Sequence, residues 1–139
     1  MMKYNVKPEI EVFDTAMIWN ALRLAEKGEI NPPMHFNILL GVGGSQPATV
    51  DALMYCYQHL PKGCTWGVSA IGPNHVQLST IALALGGNVR VGIEDNIYYA
   101  KGVLATNLML LQRIKKIALA MGKEIATPAE ARAILGLKK

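Results

Sequence analysis

Strand patterns and helix patterns alternate four times along this chain, and this alternation constrains the fold more than any other feature of the sequence. Short apolar or alternating runs predict strands over residues 10–13, 35–40, 65–70 and 88–93. Each run is followed by a segment with apolar residues at helical spacing, which predicts a helix. Because consecutive strand–helix units form parallel sheets through right-handed crossovers, the sequence predicts an α/β fold.

Polar residues at suitable positions predict where several helices begin. Asp14 and Thr15 are candidate caps of the first helix, and Thr49 is the candidate cap of the second. Thr127 and Pro128 predict the start of a short last helix. The longest predicted helix covers residues 103–121. Its core-facing stripe is expected to comprise Leu104, Leu108, Leu111 and Ile114.

Two architectures contain four such units, a doubly wound sheet and part of a (β/α)₈ barrel. The strands of a doubly wound sheet are covered on both faces and should be apolar on both. Here Glu11 lies opposite the apolar face of the first strand, and Arg90 and Glu94 lie opposite that of the fourth. A complete TIM barrel needs about 250 residues. The 139 residues therefore favour half of a TIM barrel, a half-barrel of four β/α units.

Composition and charge exclude several classes of protein. Hydrophobic residues make up 51% of the chain and charged residues only 17%, which excludes a disordered protein. The absence of a long apolar run and of a secretory signal predicts a cytoplasmic protein that does not enter a membrane. The net charge is +4, but the only adjacent basic pairs are Lys115-Lys116 and Lys138-Lys139. Without basic residues clustered on one face, nucleic-acid binding is not expected.

The segment from Val89 to Asn96 carries the strongest chemical signal. In an extended strand Arg90 and Glu94 lie on the same side, about 13 Å apart, and Gly92 between them leaves space for a ligand or a metal ion. Glu94 could be one ligand of a divalent metal. The alternative is a structural ion pair between Arg90 and a carboxylate at the rim of a barrel.

Two further positions have both a functional and a structural interpretation. The loop Gly41-Val42-Gly43-Gly44-Ser45 follows a strand and precedes a helix, where backbone amides can bind an anion. The glycines could equally form a tight turn. Glu11 at a strand end could be a general acid–base or could pair with a neighbouring cation. Glu9, on the same side of that strand, is the lesser candidate.

The motifs PEIEVFD (8–14), GVGG (41–44), WGVSAIG (66–72), VRVGIEDN (89–96) and ATPAEAR (126–132) together resemble the β-keto acid cleavage enzyme family, in the family's order. The resemblance implies a zinc-dependent (β/α)₈ barrel. Such an enzyme condenses a β-keto acid with acetyl-CoA and cleaves the product to acetoacetate and a new acyl-CoA. The resemblance implies that residues 1–139 are the C-terminal half of a single TIM-barrel domain, with about its last four β/α units.

The resemblance also implies roles for single residues. Glu94 matches the zinc-ligand carboxylate, and Asp95 with Arg90 matches the pair that deprotonates the substrate. Glu11 resembles the family's active-site glutamate. A guanidinium beside a carboxylate makes that carboxylate a weaker base, so Arg90 is expected to position Asp95 and to stabilise developing negative charge. Gly43 and Gly44 are the expected substrate-binding positions of the glycine loop.

The chain departs from the family pattern in two places. The H-x-H motif that supplies the other zinc ligands is absent, and Pro73-Asn74 stands where a basic residue is expected. We therefore expect a fragment or one half of a split enzyme, inactive alone, that forms a homo-oligomer or binds a complementing N-terminal half. Two alternatives stay open at this point. One is a non-catalytic α/β module that binds an anionic metabolite through residues 41–45, and the other is a structural subunit whose charged strand face seals an oligomer interface.

Overall fold

A computed structural model of the protein describes residues 1–4 and 6–137, so Lys138-Lys139 lies outside the described residues. After a 3₁₀ turn at Met2–Tyr4, strands and helices alternate. The elements are β1 (Glu9–Val12), α1 (Thr15–Glu26), β2 (His35–Leu40), α2 (Val50–Gln58), β3 (Thr65–Ala70), α3 (His75–Ala84), β4 (Asn88–Val89), β5 (Tyr98–Ala100), β6 (Val103–Leu104), α4 (Asn107–Ala120) and α5 (Pro128–Ile134). No helix within the described ranges has both the length and the apolarity needed to cross a membrane.

The first four strands form one parallel sheet in the order β1-β2-β3-β4. Glu11 is paired with Asn37, and Val68 with Val89. Buried residues of α1, α2 and α3 form one core cluster with strand residues, as expected when right-handed crossovers place the helices on one face of the sheet. A doubly wound sheet requires a reversal of strand order, and these four strands show none. The predicted α/β class is confirmed, and the sheet is compatible with part of a TIM-barrel-like fold.

The two faces of the sheet differ in polarity. The face under the helices forms the core with side chains at alternate positions, among them Val12, Phe36, Ile38, Leu40, Val68 and Ala70. The residues between them point to the opposite face, which carries Glu11, Asn37, Ser69 and Arg90. Apolar burial on one face therefore stabilises the sheet, while the other face is available for polar chemistry.

Side-chain caps begin four of the helices. Asp14, Thr49 and Thr127 each accept a hydrogen bond from a backbone N–H in the first turn, as predicted, and Thr127 with Glu130 completes a capping box. Thr106 caps α4 in the same way. These contacts satisfy N–H groups that have no partner within the helix.

Two predicted elements are shorter than expected. Strand β4 ends at Val89 rather than at residue 93, and α4 begins at Asn107 rather than at 103. Between β4 and α4 lies the antiparallel pair β5–β6, whose strands are joined by the two residues Lys101 and Gly102. Gly102 has a φ of +76°, which a two-residue hairpin loop accepts readily and a helix does not.

The face by which α4 packs also differs from the prediction. Its buried residues are Leu110, Ile114 and Ala118, and α4 contacts α3. Leu104, Leu108 and Leu111 are 67, 61 and 59% exposed. Ile114 was thus correctly placed in the core, and the other three stripe residues were not. An uncovered apolar surface remains on this side of the molecule.

The ring of Trp66 occupies the space beside Gly87. A Cβ atom added at Gly87 would lie 2.6 Å from that ring, so only glycine allows this approach. On its other side Trp66 contacts the ring of Tyr57, with a centroid distance of 5.0 Å. Trp66 is consequently 7% exposed and belongs to the core.

Candidate active site

Arg90 joins two carboxylates that are far apart in the sequence. Its Nη1 donates to Oε1 of Glu11 at 2.8 Å, and its Nη2 donates to Oδ2 of Asp95 at 3.3 Å. Parallel strands have their carboxyl ends at the same end of the sheet, and both carboxylates lie at that end. The structure therefore brings together three of the residues that the sequence singles out, Glu11, Arg90 and Asp95.

This contact spans the polar face of the whole sheet. Glu11 is on β1 and Arg90 follows β4, so β2 and β3 lie between them. On those two strands the amide of Asn37 and the hydroxyl of Ser69 are buried and exchange hydrogen bonds of 3.0 and 3.2 Å. Each of the four strands, or the residue directly after it, thus contributes a polar side chain to this face.

The guanidinium of Arg90 is held in its charged form. Burial disfavours the charge, but the hydrogen bond with Glu11, the charge of Asp95 and their further interactions outweigh that effect and raise the pKa of Arg90. The side chain of Asp95 is only 9% exposed, whereas those of Arg90 and Glu11 are 38 and 42% exposed. Nε of Arg90 is buried and has no hydrogen-bond partner among the described residues.

The sequence predicted that Glu94 and Arg90 lie on the same side of one extended strand. This prediction is wrong, because β4 already ends at Val89. The chain leaves the sheet after Arg90, and the carbonyl of Gly92 accepts hydrogen bonds from the N–H groups of Asp95 and Asn96. This turn ends the strand alternation and brings Asp95 to Arg90. The carboxylate of Glu94 occupies the space beside Gly92, where a Cβ would overlap it. The use of this space by a ligand or a metal ion stays a prediction.

The described residues offer a metal ion one candidate carboxylate ligand, but they do not form a complete metal site. Glu94 is exposed and could offer a carboxylate. Among residues 1–4 and 6–137, however, no three His, Cys, Asp or Glu side chains are grouped so that they could hold a metal ion. Any complete zinc site therefore needs ligands from outside this part of the chain.

The glycine loop after β2 forms a tight turn. Gly41 has a φ of +93°, and a Cβ there would lie 2.6 Å from the carbonyl oxygen of Ile71. Ser45 closes the loop, since its N–H and its hydroxyl both donate to the carbonyl of Val42. Gly43 and Gly44 are exposed, with open space beside them. The turn interpretation explains Gly41, and substrate binding at Gly43 and Gly44 stays a prediction.

The structure adds a groove that the sequence analysis missed. It has a volume of about 720 Å³ and lies between the loop after β3 and the β5–β6 hairpin. Asp95, His75, Tyr98, Tyr99 and Lys101 contribute to its lining. Burial, with a smaller effect of the Arg113 charge, lowers the pKa of His75. The sequence predicted no element over β5 and assigned β6 to the start of a helix, so no sequence signal joined these residues.

A comparison with protein families places the chain. The model of the family "beta-keto acid cleavage enzyme" matches residues 1–137. This match confirms the resemblance carried by the sequence motifs.

Individual relatives show the same family. A 3-keto-5-aminohexanoate cleavage enzyme of Fusobacterium nucleatum is 46% identical over 140 residues, which cover all of this chain and 51% of the relative. A 3-dehydrocarnitine:acetyl-CoA trimethylamine transferase of Rhizobium meliloti is 38% identical, with 100% and 46% covered. A 3-oxoadipate:acetyl-CoA acetyltransferase of Cupriavidus necator is 34% identical, with 99% and 50% covered. The chain spans about half the length of these relatives. It belongs to the beta-keto acid cleavage enzyme family.

Proposed function

We propose that this chain supplies one half of the active site of an acyltransferase that cleaves a carbon–carbon bond. The substrates are a β-keto acid and acetyl-CoA, and the products are acetoacetate and a new acyl-CoA. Three features support this proposal. They are the family match, the names of relatives, which include acetyl-CoA, and the cluster of Glu11, Arg90 and Asp95 at the carboxyl end of the sheet. The contact of Arg90 with both Glu11 and Asp95 is the observation that carries it.

The three cluster residues divide the chemistry between them. Asp95 is the largely buried carboxylate and removes a proton from the substrate. Arg90 fixes Asp95 in place and presents a permanent positive charge to the negative charge that develops on the substrate. Glu11 holds the other side of the guanidinium and is the second candidate for proton transfer.

The groove beside Asp95 suits the remainder of a substrate. Its volume of about 720 Å³ lies in the range of small-molecule sites, about 300–1,000 Å³. Because Asp95 lines both the groove and the cluster, a ligand in the groove extends directly to the reacting carboxylate. We assign the groove to the thioester arm of acetyl-CoA, and Lys101 at its wall can face an anionic group.

We propose further that the fold is a half-barrel with a complementing partner. Within the described residues, β1 and β4 are edge strands, and unpaired edges tend to associate. On α4, which packs against α3, Leu108 and Leu111 are exposed and form an apolar surface typical of an interface. Four further β/α units would pair with both edges and cover this surface. An N-terminal half is the proposed partner, and a second copy of this chain is the alternative.

Zinc belongs to this proposal only through the partner. Glu94 can contribute one carboxylate ligand, and the remaining ligands would come from the complementing half. The chain alone is therefore expected to bind zinc weakly and below one ion per chain, which metal analysis of the purified protein measures. Tight stoichiometric zinc in the chain alone would contradict this division of the site.

The activity is tested by reconstitution. The chain is co-expressed with the first half of the Fusobacterium nucleatum relative, and acetoacetate is measured from 3-keto-5-aminohexanoate and acetyl-CoA. We expect turnover and bound zinc only in the pair. Replacing Asp95 by Asn should reduce kcat by about 10²–10⁴-fold, because a positioned general base contributes that much.

The matched control is Asp51→Asn, in the first turn of α2, where the carboxylate is exposed. This variant should leave turnover unchanged. A zinc-bound pair without turnover would exclude the proposed function, and a pair equally active with Asn at 95 would exclude Asp95 as the residue that removes the proton. Light scattering tests the half-barrel separately: a dilute chain that stays monomeric and well behaved would speak against unpaired edges.

A further inference from the structure

The hydrogen bonding between β3 and β4 continues beyond the point where β4 leaves the sheet. The N–H of Arg90 donates to the carbonyl of Val68 at 3.0 Å, which is a normal link of a parallel ladder. The next link belongs to the residue two positions on, Gly92. Its N–H would meet the carbonyl of Ala70, and its carbonyl would accept from the N–H of Gly72.

The side chain of Asn96 makes these two bonds instead. Its Nδ2 donates to the carbonyl of Ala70 at 2.9 Å, and its Oδ1 accepts from the N–H of Gly72 at 2.8 Å. A side-chain amide has the same donor and acceptor groups as a peptide. The amide of Asn96 thus replaces a backbone peptide in the ladder, and Asn96 is only 7% exposed.

This replacement connects the sheet to the cluster of Glu11, Arg90 and Asp95. The carbonyl of Gly92 is released from the ladder and accepts from the N–H groups of Asp95 and Asn96, at 3.2 and 3.0 Å. Asp95 is held between this turn on one side and the anchored Asn96 on the other. Its carboxylate thereby meets the guanidinium of Arg90, which the last ladder bond fixes to β3.

We propose that Asn96 is a positioning residue that sets the contact between Asp95 and Arg90. Chemistry restricts the position to Asn. Asp loses the donor to Ala70 and places a carboxylate against a carbonyl oxygen, whereas Gln is one methylene longer and displaces the turn. This inference rests on the proposed function only for the catalytic use of the Asp95–Arg90 pair. The positioning itself depends on hydrogen bonds within this chain.

The test uses the purified chain without any ligand. The NMR signal of the Arg90 Nε–H group is recorded in the parent chain and in Asp95→Asn, and the substitution should shift it. The same pair is then compared in the Asn96→Asp and Asn96→Gln backgrounds. If Asn96 holds Asp95 in place, the shift caused by Asp95→Asn should fall to less than about half, because coupled changes are not additive.

Asn88→Ala is the matched control. The amide of Asn88 also donates to a β3 carbonyl, that of Trp66 at 2.9 Å, but lies two residues before Arg90. In this background the Asp95→Asn shift should keep its full size. A full-sized shift in the Asn96 variants, or an equal loss in Asn88→Ala, would overturn the proposal. So would unfolding of both Asn96 variants while Asn88→Ala stays folded, since Asn96 would then serve stability alone. Absence of turnover in the reconstituted pair would count only against the proposed function.

Discussion

The two faces of the parallel sheet are built from alternate residues of the same strands, yet they serve different ends. Phe36 is fully buried under the helices, and its neighbour Asn37 is buried on the opposite face against Ser69. Apolar burial on the first face provides most of the favourable free energy of folding. The second face contains hydrogen bonds and ion pairs, which contribute less to stability. Because stability depends mainly on the apolar face, the polar face can carry the charged and polar residues of a candidate site.

The largest expected effect is on the apolar face. Phe36→Ala removes a fully buried ring and should lower the free energy of unfolding by about 3–5 kcal/mol. Chemical denaturation measures this loss. The comparison variant Leu108→Ala truncates a residue that is 61% exposed and should change stability by no more than about 0.5 kcal/mol. Similar losses for the two variants would mean that the core is not where the sheet places it.

A moderate effect is expected one residue further along. Asn37→Ala leaves the buried hydroxyl of Ser69 without its partner and should cost about 1–3 kcal/mol. The double variant with Ser69→Ala should cost less than the sum of the two single changes, because the two residues share their hydrogen bonds. Strict additivity in denaturation experiments would show that the pair does not interact.

Glu11→Gln should have a small effect on stability. The ion pair with Arg90 is more than one-third exposed at both partners, and exposed pairs contribute about 0–1 kcal/mol. Denaturation should hardly distinguish this variant from the parent chain, whereas turnover of the reconstituted pair should fall. A loss as large as that of Phe36→Ala would show that the polar face stabilises the fold as strongly as the core does.

The pH dependence of stability should be modest, with a defined sign. Burial lowers the pKa of His35, where Glu9 opposes the effect and Lys7 adds to it. Burial likewise lowers the pKa of His75. Protons then bind the unfolded chain more tightly, so stability is full above the unfolded-state pKa of about 6.5 and falls as the pH drops through the lower folded-state pKa values. Denaturation midpoints at about pH 7.5 and 5.5 measure this loss, and the double variant His35→Gln/His75→Gln should reduce it. A pH dependence that the double variant leaves intact would refute this cause.

Local signals in the sequence predicted most of the fold. Short strand-like runs located β2 and β3, and Asp14, Thr49 and Thr127 located helix starts, because these signals depend on neighbouring residues. The end of β4 was not predictable in this way. It depends on Asn96 bonding to Ala70 and Gly72, residues more than 20 positions away. The covered side of α4 likewise depends on α3, which periodicity within α4 does not reveal.

The candidate site was predicted in part, and for a similar reason. Glu11, Arg90 and Asp95 were singled out by motif, and the structure places them in contact, while their catalytic roles stay predictions. Glu94 was expected on the same strand face as Arg90, which fails because the turn at Gly92 interrupts the alternation. The groove was missed because the β5–β6 hairpin has too few residues to produce a strand pattern.

The surroundings of the two tryptophans make them separate fluorescent reporters. Trp66 lies against Tyr57 with its ring over Gly87, so its emission should move to longer wavelength when water reaches the core. Trp19 is 56% exposed on α1 and experiences much the same solvent before and after unfolding. In a Trp19→Phe background the remaining signal comes from one buried ring. Unfolding of the sheet can then be followed optically without any attached label.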